Sequence, residues 1–369
     1  MSILYDEGQR AIASESRRVL DARMDKARLL ALLEQTGKYD QPFWDTVVEQ
    51  GWTGIGIAED HGGLGLGLIE LGLVAQACGA ATSGAPFLTS GYGVASALQG
   101  GSNADAAALW LPKLAAGEAT AAIAFAEGSA PLPLVAATPF IDGKLSGTKN
   151  GVAGGLTADV ALVWASVDGQ PVLVLAELSG ATRSAVDSFD NSRLYADLAF
   201  AGTPAVVIAQ GPVAHALAMD VMARVAVIAA HEQVGGAEAL MLTARDYALT
   251  RRAFGQPIGA FQSVKHRIAE LYGLVEIARA NCIHAAALEG VCGISGPGFV
   301  TAAAAARISA TEAYDTAARD CVQVHGGIGV TWEAGLHLHM RRARSLAIEA
   351  GNLFFWEDVL VNELQGQAA

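Results

Sequence analysis

The chain of 369 residues has little charge, few cysteines and no excess of basic residues. Charged residues make up 17% and hydrophobic residues 52%, which excludes an intrinsically disordered chain and predicts extensive burial of apolar surface between proteins. Lys and Arg total 24 against 37 Asp and Glu, a formal net charge of −13. This balance speaks against a basic nucleic-acid-binding protein, so no nucleic-acid partner is expected.

The sequence also lacks the marks of a secreted or membrane protein. The four cysteines form no CxxC pair, which is typical of reduced thiols in the core of a cytosolic protein; they are Cys78, Cys282, Cys292 and Cys321. The start, MSILYDEGQRAIASESRR, has no apolar segment behind a basic flank, so no signal peptide is expected. The apolar stretches 64–98 and 206–241 are interrupted by glycines or by charges, and neither offers about 20 clean apolar residues for a span. We expect a soluble, cytoplasmic protein with no membrane partner.

Periodicity predicts three successive regions. Residues 1–118 have helical patterns over 22–34, 43–50, 69–79 and 104–116. Residues 119–208 have short β-rich runs at 120–125, 160–165, 172–176 and 205–208, with Asp-Gly and Ser-Gly turn pairs between several of them. Residues 209–369 have long helical patterns over 213–249, 261–288 and 298–324, with Gly235-Gly236 as soft spots in the first. The predicted fold is α+β, mainly α: an N-terminal helical domain (1–118), a small antiparallel β domain (119–208) and a C-terminal four-helix bundle (209–369).

Several familiar catalytic motifs are missing or weak. No GxSxG nucleophile motif occurs, and no cysteine has a basic, glycine-rich context. GGLGLG at 62–67 lies in a helical region, so a loop between helices is favoured over a dinucleotide-binding turn. His337 and His339 would point to different faces of a helix, so no metal site is predicted.

Two glycine-containing segments are the informative ones. In RRAFGQPIGAFQSVKHRIAEL (251–271), one helix ends near Arg252 and another begins near residues 260–262. The Arg251 guanidinium either binds a phosphate bidentately or interacts with the helix C-terminus, and composition leaves both open. In CVQVHGGIGVTWEAG (321–335), Gln323 offers an amide, and Gly326-Gly327 would let a ligand approach the backbone. The alternative is a plain helix end and turn, and His325 beside it either lines a site or packs.

Together these segments resemble the acyl-CoA dehydrogenase family. The family pattern resembles R-x-x-F-G-x-P-I-x-x-F-Q followed by Q-x-x-G-G-x-G, and both occur here about 60 residues apart. An N-terminal pattern of the family also fits, at Trp44, Gly51, Trp52, Gly54, Ile55, Glu59, Gly62 and Gly63. The resemblance covers nearly the whole chain and implies the α–β–α fold of that family.

The resemblance implies an enzyme that binds FAD and a fatty or sterol-like acyl-CoA. A carboxylate would take the α-proton while the β-hydride moves to the flavin, with an electron-transfer flavoprotein as acceptor. The residues implied to hold the ADP end of FAD, largely bound to a neighbouring subunit, are Arg251, Phe254, Gln262, Gln323, Gly326 and Gly327. They would act across a dimer interface, which suits the apolar composition.

The chain departs from the family where the flavin ring would lie. FAEGSAPLPL (125–134) replaces a T-E-P-x-x-G-S-D element and keeps Glu127, Gly128 and Ser129. KNGVAG (149–154) replaces a K-x-W-I-T-N element, with Gly151 at the tryptophan position and Ala153 at the hydroxyl position. A ring wall and a hydrogen-bond donor to the flavin are therefore expected to be lost.

The catalytic carboxylate also departs from the family. Where members have a Y-E-G-T-like loop, this chain has AIEAGN (347–352), with Ala350 at the base position and Glu349 before it. Other members carry the base on the long helix, where Val225 now stands; Glu232 lies two turns further on, roughly 10 Å away. Glu349 is the preferred candidate base and Glu232 the lesser one. The alternative is a Glu349 that is ion-paired or solvated beside Arg341, Arg342 and Arg344.

The chain thus keeps the residues implied to hold the ADP end of FAD but departs from the family at the flavin ring and at the base. Three hypotheses follow from this contrast. The first is a degenerate partner subunit that completes the FAD site of a paralogue in an α2β2 enzyme, as in the heteromeric steroid side-chain enzymes of the family. The second is a self-sufficient homomeric acyl-CoA dehydrogenase with Glu349 as base. The third is a non-enzymatic acyl-CoA-binding or scaffold protein without flavin.

Overall fold

The computed structural model of the chain describes residues 5–83, 87–289, 295–296 and 298–367. Eleven α-helices lie in these residues: α1 (Glu7–Arg23), α2 (Lys26–Leu33), α3 (Gln41–Glu49), α4 (Leu68–Ala81), α5 (Phe87–Gly100), α6 (Ala104–Ala115), α7 (Pro212–Thr250), α8 (Gln262–Ala287), α9 (Phe299–His325), α10 (Leu336–Ile348) and α11 (Leu353–Gln367). Nine β-strands lie there too: β1 (Ala121–Ala124), β2 (Phe140–Ile141), β3 (Lys144–Val152), β4 (Val160–Val167), β5 (Gln170–Glu177), β6 (Thr182–Ala185), β7 (Ala196–Gln210), β8 (Arg252–Ala253) and β9 (Gln256–Pro257).

The helix–sheet–helix order confirms the predicted fold class. Short polar residues begin the N-terminal helices, since the Asp25, Asp40 and Asn103 side chains accept hydrogen bonds from the free N–H groups of α2, α3 and α6. The single helix predicted over 22–34 is wrong, because the backbone is extended at Met24 and Asp25 starts a new helix. Helix α5 was not predicted.

The sheet between the two helical regions has seven strands in the order β1-β4-β5-β7-β3-β2, with β6 also paired to β7. The prediction of an antiparallel sheet holds for all of these pairs except one, because β1 runs parallel to β4. A parallel pair needs a long crossover. Residues 125–159, which contain β2 and β3, supply it. The proposed domain boundaries at 118 and 208 stay a prediction.

Helix α7 is the central element of the C-terminal region and packs against α4, α8 and α9. It runs unbroken through Gly235 and Gly236, so the prediction of soft spots is wrong. A Cβ on Gly235 would collide with the carbonyl of Gln76, and a Cβ on Gly79 would collide with the carbonyl of Glu232. The two glycines therefore let the α4 and α7 backbones touch where they cross.

Helix α7 is also long and apolar enough to cross a membrane, but 78% of its most apolar window is buried inside the protein. It is flanked by the alanine-rich α9, whose small side chains let helices approach closely. The thiols of Cys78, Cys282 and Cys321 are buried and free, as expected, and Cys292 lies outside the described residues. The GGLGLG segment is a loop leading into α4, as predicted.

Candidate functional site

The segment after α7 is a tight reversal that presents two of the predicted residues to solvent. Strands β8 and β9 form a two-residue hairpin, and the Ile258 N–H donates to the Arg251 carbonyl at 2.8 Å, which closes the reversal before α8 begins at Gln262. The Arg251 side chain is exposed and has no hydrogen-bond or ion-pair partner among the described residues. Phe254, at the tip, is 96% exposed and has a φ of +50°, a conformation rarely adopted by a non-glycine residue.

The end of α9 lies beside this reversal. The Tyr247 ring on α7 stacks on the His325 ring on α9 at 4.1 Å between centroids, and Arg267 on α8 pairs with Asp320 on α9 at 2.6 Å. Both contacts lie within about a turn or two of the predicted residues. These contacts bring the helix ends that carry the predicted residues together. We call the predicted residues the end surface: Arg251, Phe254, Gln262, Gln323, Gly326 and Gly327.

The two glycines leave the end surface open. Gly326 has a φ of +61°, and a Cβ on Gly326 or Gly327 would meet no atom within 4 Å. Gln262 and Gln323 are exposed. The end surface thus offers a guanidinium, two amides, bare backbone and an exposed ring, a donor set that suits an anionic group carrying a flat ring.

A separate cavity of about 270 Å³ lies between the sheet, α5, α7 and the loop before α11. We call it the inner cavity. Its lining includes both segments that depart from the family pattern, in the stretches 123–126, 128–131 and 150–153, together with 348–352. Val225 and Ala350, the two positions where family members would carry a base, also line it. The structure thus brings the two departing segments and the two base positions together in one cavity, and both base positions are apolar here.

A buried ion pair fixes the loop along one wall of the inner cavity. The Lys149 ammonium is fully buried and donates to Glu127 at 2.7 Å and to the Phe125 carbonyl at 3.3 Å. Glu127 accepts further hydrogen bonds from the Ala137 and Thr138 backbones at 2.6 and 3.0 Å. Burial would raise the pKa of Glu127, but its hydrogen bonds to Lys149 and to this backbone outweigh that effect and lower it. The pair therefore holds the loop in place as an ionised anchor.

Glu349 reaches the inner cavity, but its carboxylate is bound from the protein side. The Arg193 guanidinium binds it bidentately, with Nε–Oε1 at 2.8 Å and Nη2–Oε2 at 2.6 Å, and the Tyr195 hydroxyl also donates to Oε1. Arg193 is 1% exposed. The expected alternative of an ion-paired Glu349 is thus what the structure shows, but the expected arginines are wrong. Arg341, Arg342 and Arg344 pair instead with Glu34, with Asp190 and Glu232, and with Asp315.

The charges around Arg193 reinforce one another. Burial alone would lower the pKa of the Arg193 guanidinium, but the Glu349 and Glu232 carboxylates outweigh burial and hold it well above its usual range. Burial and the neighbouring Glu349 raise the pKa of Tyr195 well above its usual range, so its hydroxyl remains a donor. Glu232 does not line the inner cavity; it contacts Arg342 at 2.7 Å and Arg193 at 3.4 Å.

Sequence reasoning missed Arg193 and Tyr195. Each contacts a residue more than 150 positions away, so no local spacing indicates the contact. The two histidines of the HxH pair have separate partners: His337 stacks on Trp332, and His339 bonds the Tyr314 hydroxyl. No cluster of three or more metal-ligating side chains occurs in the described part of the chain.

Comparison with known proteins agrees with this layout. Family models described as "Acyl-CoA dehydrogenase, N-terminal domain" and "Acyl-CoA dehydrogenase, C-terminal domain" match residues 6–118 and 215–353. The chain is 31% identical to acyl-CoA dehydrogenase IpdE2 of Mycobacterium tuberculosis over 322 residues, which is 87% of this chain and 86% of that protein.

Two solved structures show the same fold. The ChsE4-ChsE5 complex from Mycobacterium tuberculosis has a TM-score of 0.87 at 23% identity, covering 99% of this chain and 99% of the matched chain. A variant of the Tcur3481-Tcur3483 steroid ACAD has a TM-score of 0.86 at 24% identity, covering 98% of this chain and 99% of the matched one.

Proposed function

Because this chain belongs to the acyl-CoA dehydrogenase family, a family of FAD-dependent oxidoreductases, we propose that it is the partner subunit of a heteromeric enzyme. That enzyme desaturates an acyl-CoA, of the fatty or steroid side-chain type, between its α and β carbons. This chain holds the ADP end of an FAD whose flavin ring and catalytic base lie in a paralogous subunit, in an α2β2 assembly. The observation that carries the proposal is a contrast: Arg251 on the end surface has no side-chain partner among the described residues, whereas the Glu349 carboxylate in the inner cavity is already bound by Arg193.

The end surface has the chemistry that the ADP end of FAD requires. The Arg251 guanidinium supplies a fixed positive charge for the diphosphate, and it has no internal carboxylate to displace among the described residues. Gln323 and Gln262 supply amides, and the bare backbone at Gly326 and Gly327 admits close approach. Phe254, exposed and on a strained backbone, is positioned to contact a ring or a second subunit.

Among the described residues that line the inner cavity, Glu349 is the one carboxylate, and it is already bound. When bound, FAD accepts the hydride that leaves the β carbon, so the protein has to supply the base for the α-proton. The Glu349 carboxylate has both oxygens engaged by Arg193, and Oε1 is also engaged by Tyr195. The internal donors thus occupy the oxygens that a base would need for a ligand proton. We therefore assign proton abstraction to a carboxylate of the paralogous subunit.

The relatives support the heteromeric and steroid parts of the proposal by likeness. ChsE4-ChsE5 is described as a complex of two proteins, and Tcur3481-Tcur3483 as a steroid ACAD. The exposed apolar side chains Leu249, Ile328, Val330 and Trp332 lie close in sequence to the end surface and suit burial in such an assembly. An electron-transfer flavoprotein as acceptor and a cytoplasmic location complete the proposal.

Assembly tests the proposal. The chain is co-expressed with a paralogous acyl-CoA dehydrogenase subunit and passed over a size-exclusion column with detection of visible flavin absorption. The proposal expects both chains in one flavin-containing peak. Separate elution of the two chains, with flavin on neither or on each alone, would contradict it.

A second candidate function rests on the position of Glu349 in the lining of the inner cavity. A self-sufficient homomeric enzyme would use this carboxylate as base after its release from Arg193. That function predicts that Glu349→Gln lowers turnover by orders of magnitude.

A further inference from the structure

A second cavity, of about 290 Å³, lies on the opposite face of α7 from the inner cavity. Met222 and Val225 line the inner cavity, whereas Arg224 lines the second one. Successive residues of an α-helix are roughly 100° apart, so Arg224 leaves α7 roughly 200° away from Met222. The loop before α4, one face of α5 and the end of α8 form the other walls. The second cavity is therefore separate from both the inner cavity and the end surface.

The wall of the second cavity holds a carboxylate that takes donors from three helices. The Leu68 backbone N–H, at the start of α4, donates to Glu289 Oε2 at 2.6 Å. The Tyr92 hydroxyl on α5 and the Arg224 guanidinium on α7 both donate to Oε1. The side chain of Arg224 is 4% exposed and that of Glu289 is 10% exposed, and all four residues line the cavity. Three donors thus converge on one carboxylate position at the cavity wall.

Glu289 is a costly occupant of this position. It lies just beyond the C-terminal end of α8, where the helix dipole disfavours a negative charge. Burial raises the pKa of its carboxyl, the Asp220 carboxylate adds to that rise, and Arg224 only partly opposes it. Arg224 also pairs with Asp220 at 2.6 Å, so one guanidinium serves two buried carboxylates. The carboxylate of a ligand could use the same donors without standing at the end of a helix.

We propose that the second cavity is a binding site for the carboxylate of a small ligand, which replaces Glu289 on its three donors. The donors engage both oxygens of a planar carboxylate, which favours a carboxylate over a phosphate as the ligand group. Small side chains at 286–287 leave room beside it for the apolar part of the ligand. Glu289 is then an internal competitor that satisfies the donors while no ligand is bound. The inference goes beyond the proposed function and does not depend on FAD.

The test is a titration of the full chain with butyrate, followed by ligand-observed NMR. Saturable binding to the wild-type protein is expected. Glu289→Gln keeps the size of the side chain but removes the competing charge, so butyrate should bind about tenfold more tightly. Tyr92→Phe keeps the ring but removes one donor to the charged group, so binding should weaken by about tenfold. Glu270→Gln replaces an exposed carboxylate on the same helix as a control and should behave as wild type.

Three further outcomes decide the ligand class and the site. Butyramide has the shape of butyrate without its charge and should not bind, whereas inorganic phosphate binding more tightly than butyrate would overturn the carboxylate assignment. Equal butyrate affinity in the wild type, Glu289→Gln and Tyr92→Phe would place binding elsewhere and overturn the site. If Tyr92→Phe does not fold, as judged by its melting temperature, Glu289→Gln alone decides. No saturable butyrate binding to either the wild type or Glu289→Gln would overturn the proposal outright.

Discussion

Arg251 and Arg193 both flank a bend of the chain, but they differ in every respect that matters for binding. Arg251 is exposed at the end of α7 and has no partner among the described residues, whereas Arg193 is 1% exposed and grips Glu349 bidentately. An arginine whose donors are already satisfied by an internal carboxylate has little left for a ligand. The difference teaches that the motif arginine of the end surface keeps its donors open to solvent, whereas the arginine beside the inner cavity has its donors paired inside the protein.

The largest expected effect comes from removing the buried Arg193, the internal arginine of the two. Arg193→Ala leaves Glu349 and Glu232 buried with one cation fewer, and removing one partner of a buried pair typically costs about 3–5 kcal/mol in the free energy of unfolding. Chemical denaturation measures it. The control is Arg344→Ala, since Arg344 is half exposed where it pairs with Asp315, and a loss below about 1 kcal/mol is expected there. Equal losses in both variants would contradict the internal network.

Acid pH tests the buried interior. Burial lowers the pKa of His231 to about 4 and that of His339 to about 3, while both titrate near 6.5 when unfolded. Both stay neutral in the folded protein, so their contribution is present above pH 6.5 and is lost as the pH falls from 6.5 towards 4. For His231 the loss reaches about 3 kcal/mol at most.

Denaturation at pH 7.5, 6.5, 5.5 and 4.5 measures this dependence. His231→Gln should flatten part of the fall, whereas the exposed His284→Gln should not. A stability that does not change between pH 6.5 and 4.5 would be at odds with neutral buried histidines.

A smaller effect is expected from replacing the exposed Arg251. Arg251→Ala should weaken FAD binding by the assembled subunits by about 1.5–3 kcal/mol, or roughly 10- to 150-fold, because a charge-assisted pair is lost. Flavin fluorescence titration measures it. The melting temperature of the chain alone should stay unchanged, since the Arg251 side chain has no hydrogen-bond or ion-pair partner among the described residues. Arg245→Ala is the control, as that exposed arginine on α7 pairs with Asp246. An Arg251 variant with wild-type affinity would refute the assigned role.

The smallest effect sharpens the distinction between the two candidate functions. Glu349→Gln keeps the size of the side chain and removes the charge, and the partner-subunit account expects turnover per bound FAD to stay within about twofold of wild type. Steady-state desaturation by the assembled subunits, normalised to flavin content, measures it. A fall of several orders of magnitude would instead establish Glu349 as the base.

The sequence indicated the fold better where its pattern was local. The long helices α7, α8 and α9 follow from their apolar periodicity, and their observed ends lie within a residue or two of the predicted ones. Strand β3 escaped prediction because KLSGTKNGV has exposed polar residues and two glycines in place of a clear apolar alternation. Helix α5 escaped because its glycine, serine and threonine residues weaken the helical signal.

The candidate site shows the same difference between local sequence patterns and contacts formed only in the folded chain. The candidate residues of the end surface could be named from the sequence because they lie in two short motifs at the ends of neighbouring helices, and their binding role stays a prediction. The capture of Glu349 was not, because Arg193 precedes it by 156 residues and only the folded chain brings the two together. When two residues lie far apart in the chain, their spacing in a single sequence does not indicate that they touch.

The flavin content of the chain expressed and purified alone tests the central claim most directly. The visible absorption spectrum, read against protein concentration, gives the stoichiometry. We expect little or no flavin on the isolated chain. The end surface is proposed to bind only the ADP end of an FAD whose flavin ring lies in the neighbouring subunit, and Glu349 in the inner cavity is paired with Arg193. A full flavin spectrum, with one FAD per protomer in a homo-oligomer, would contradict it.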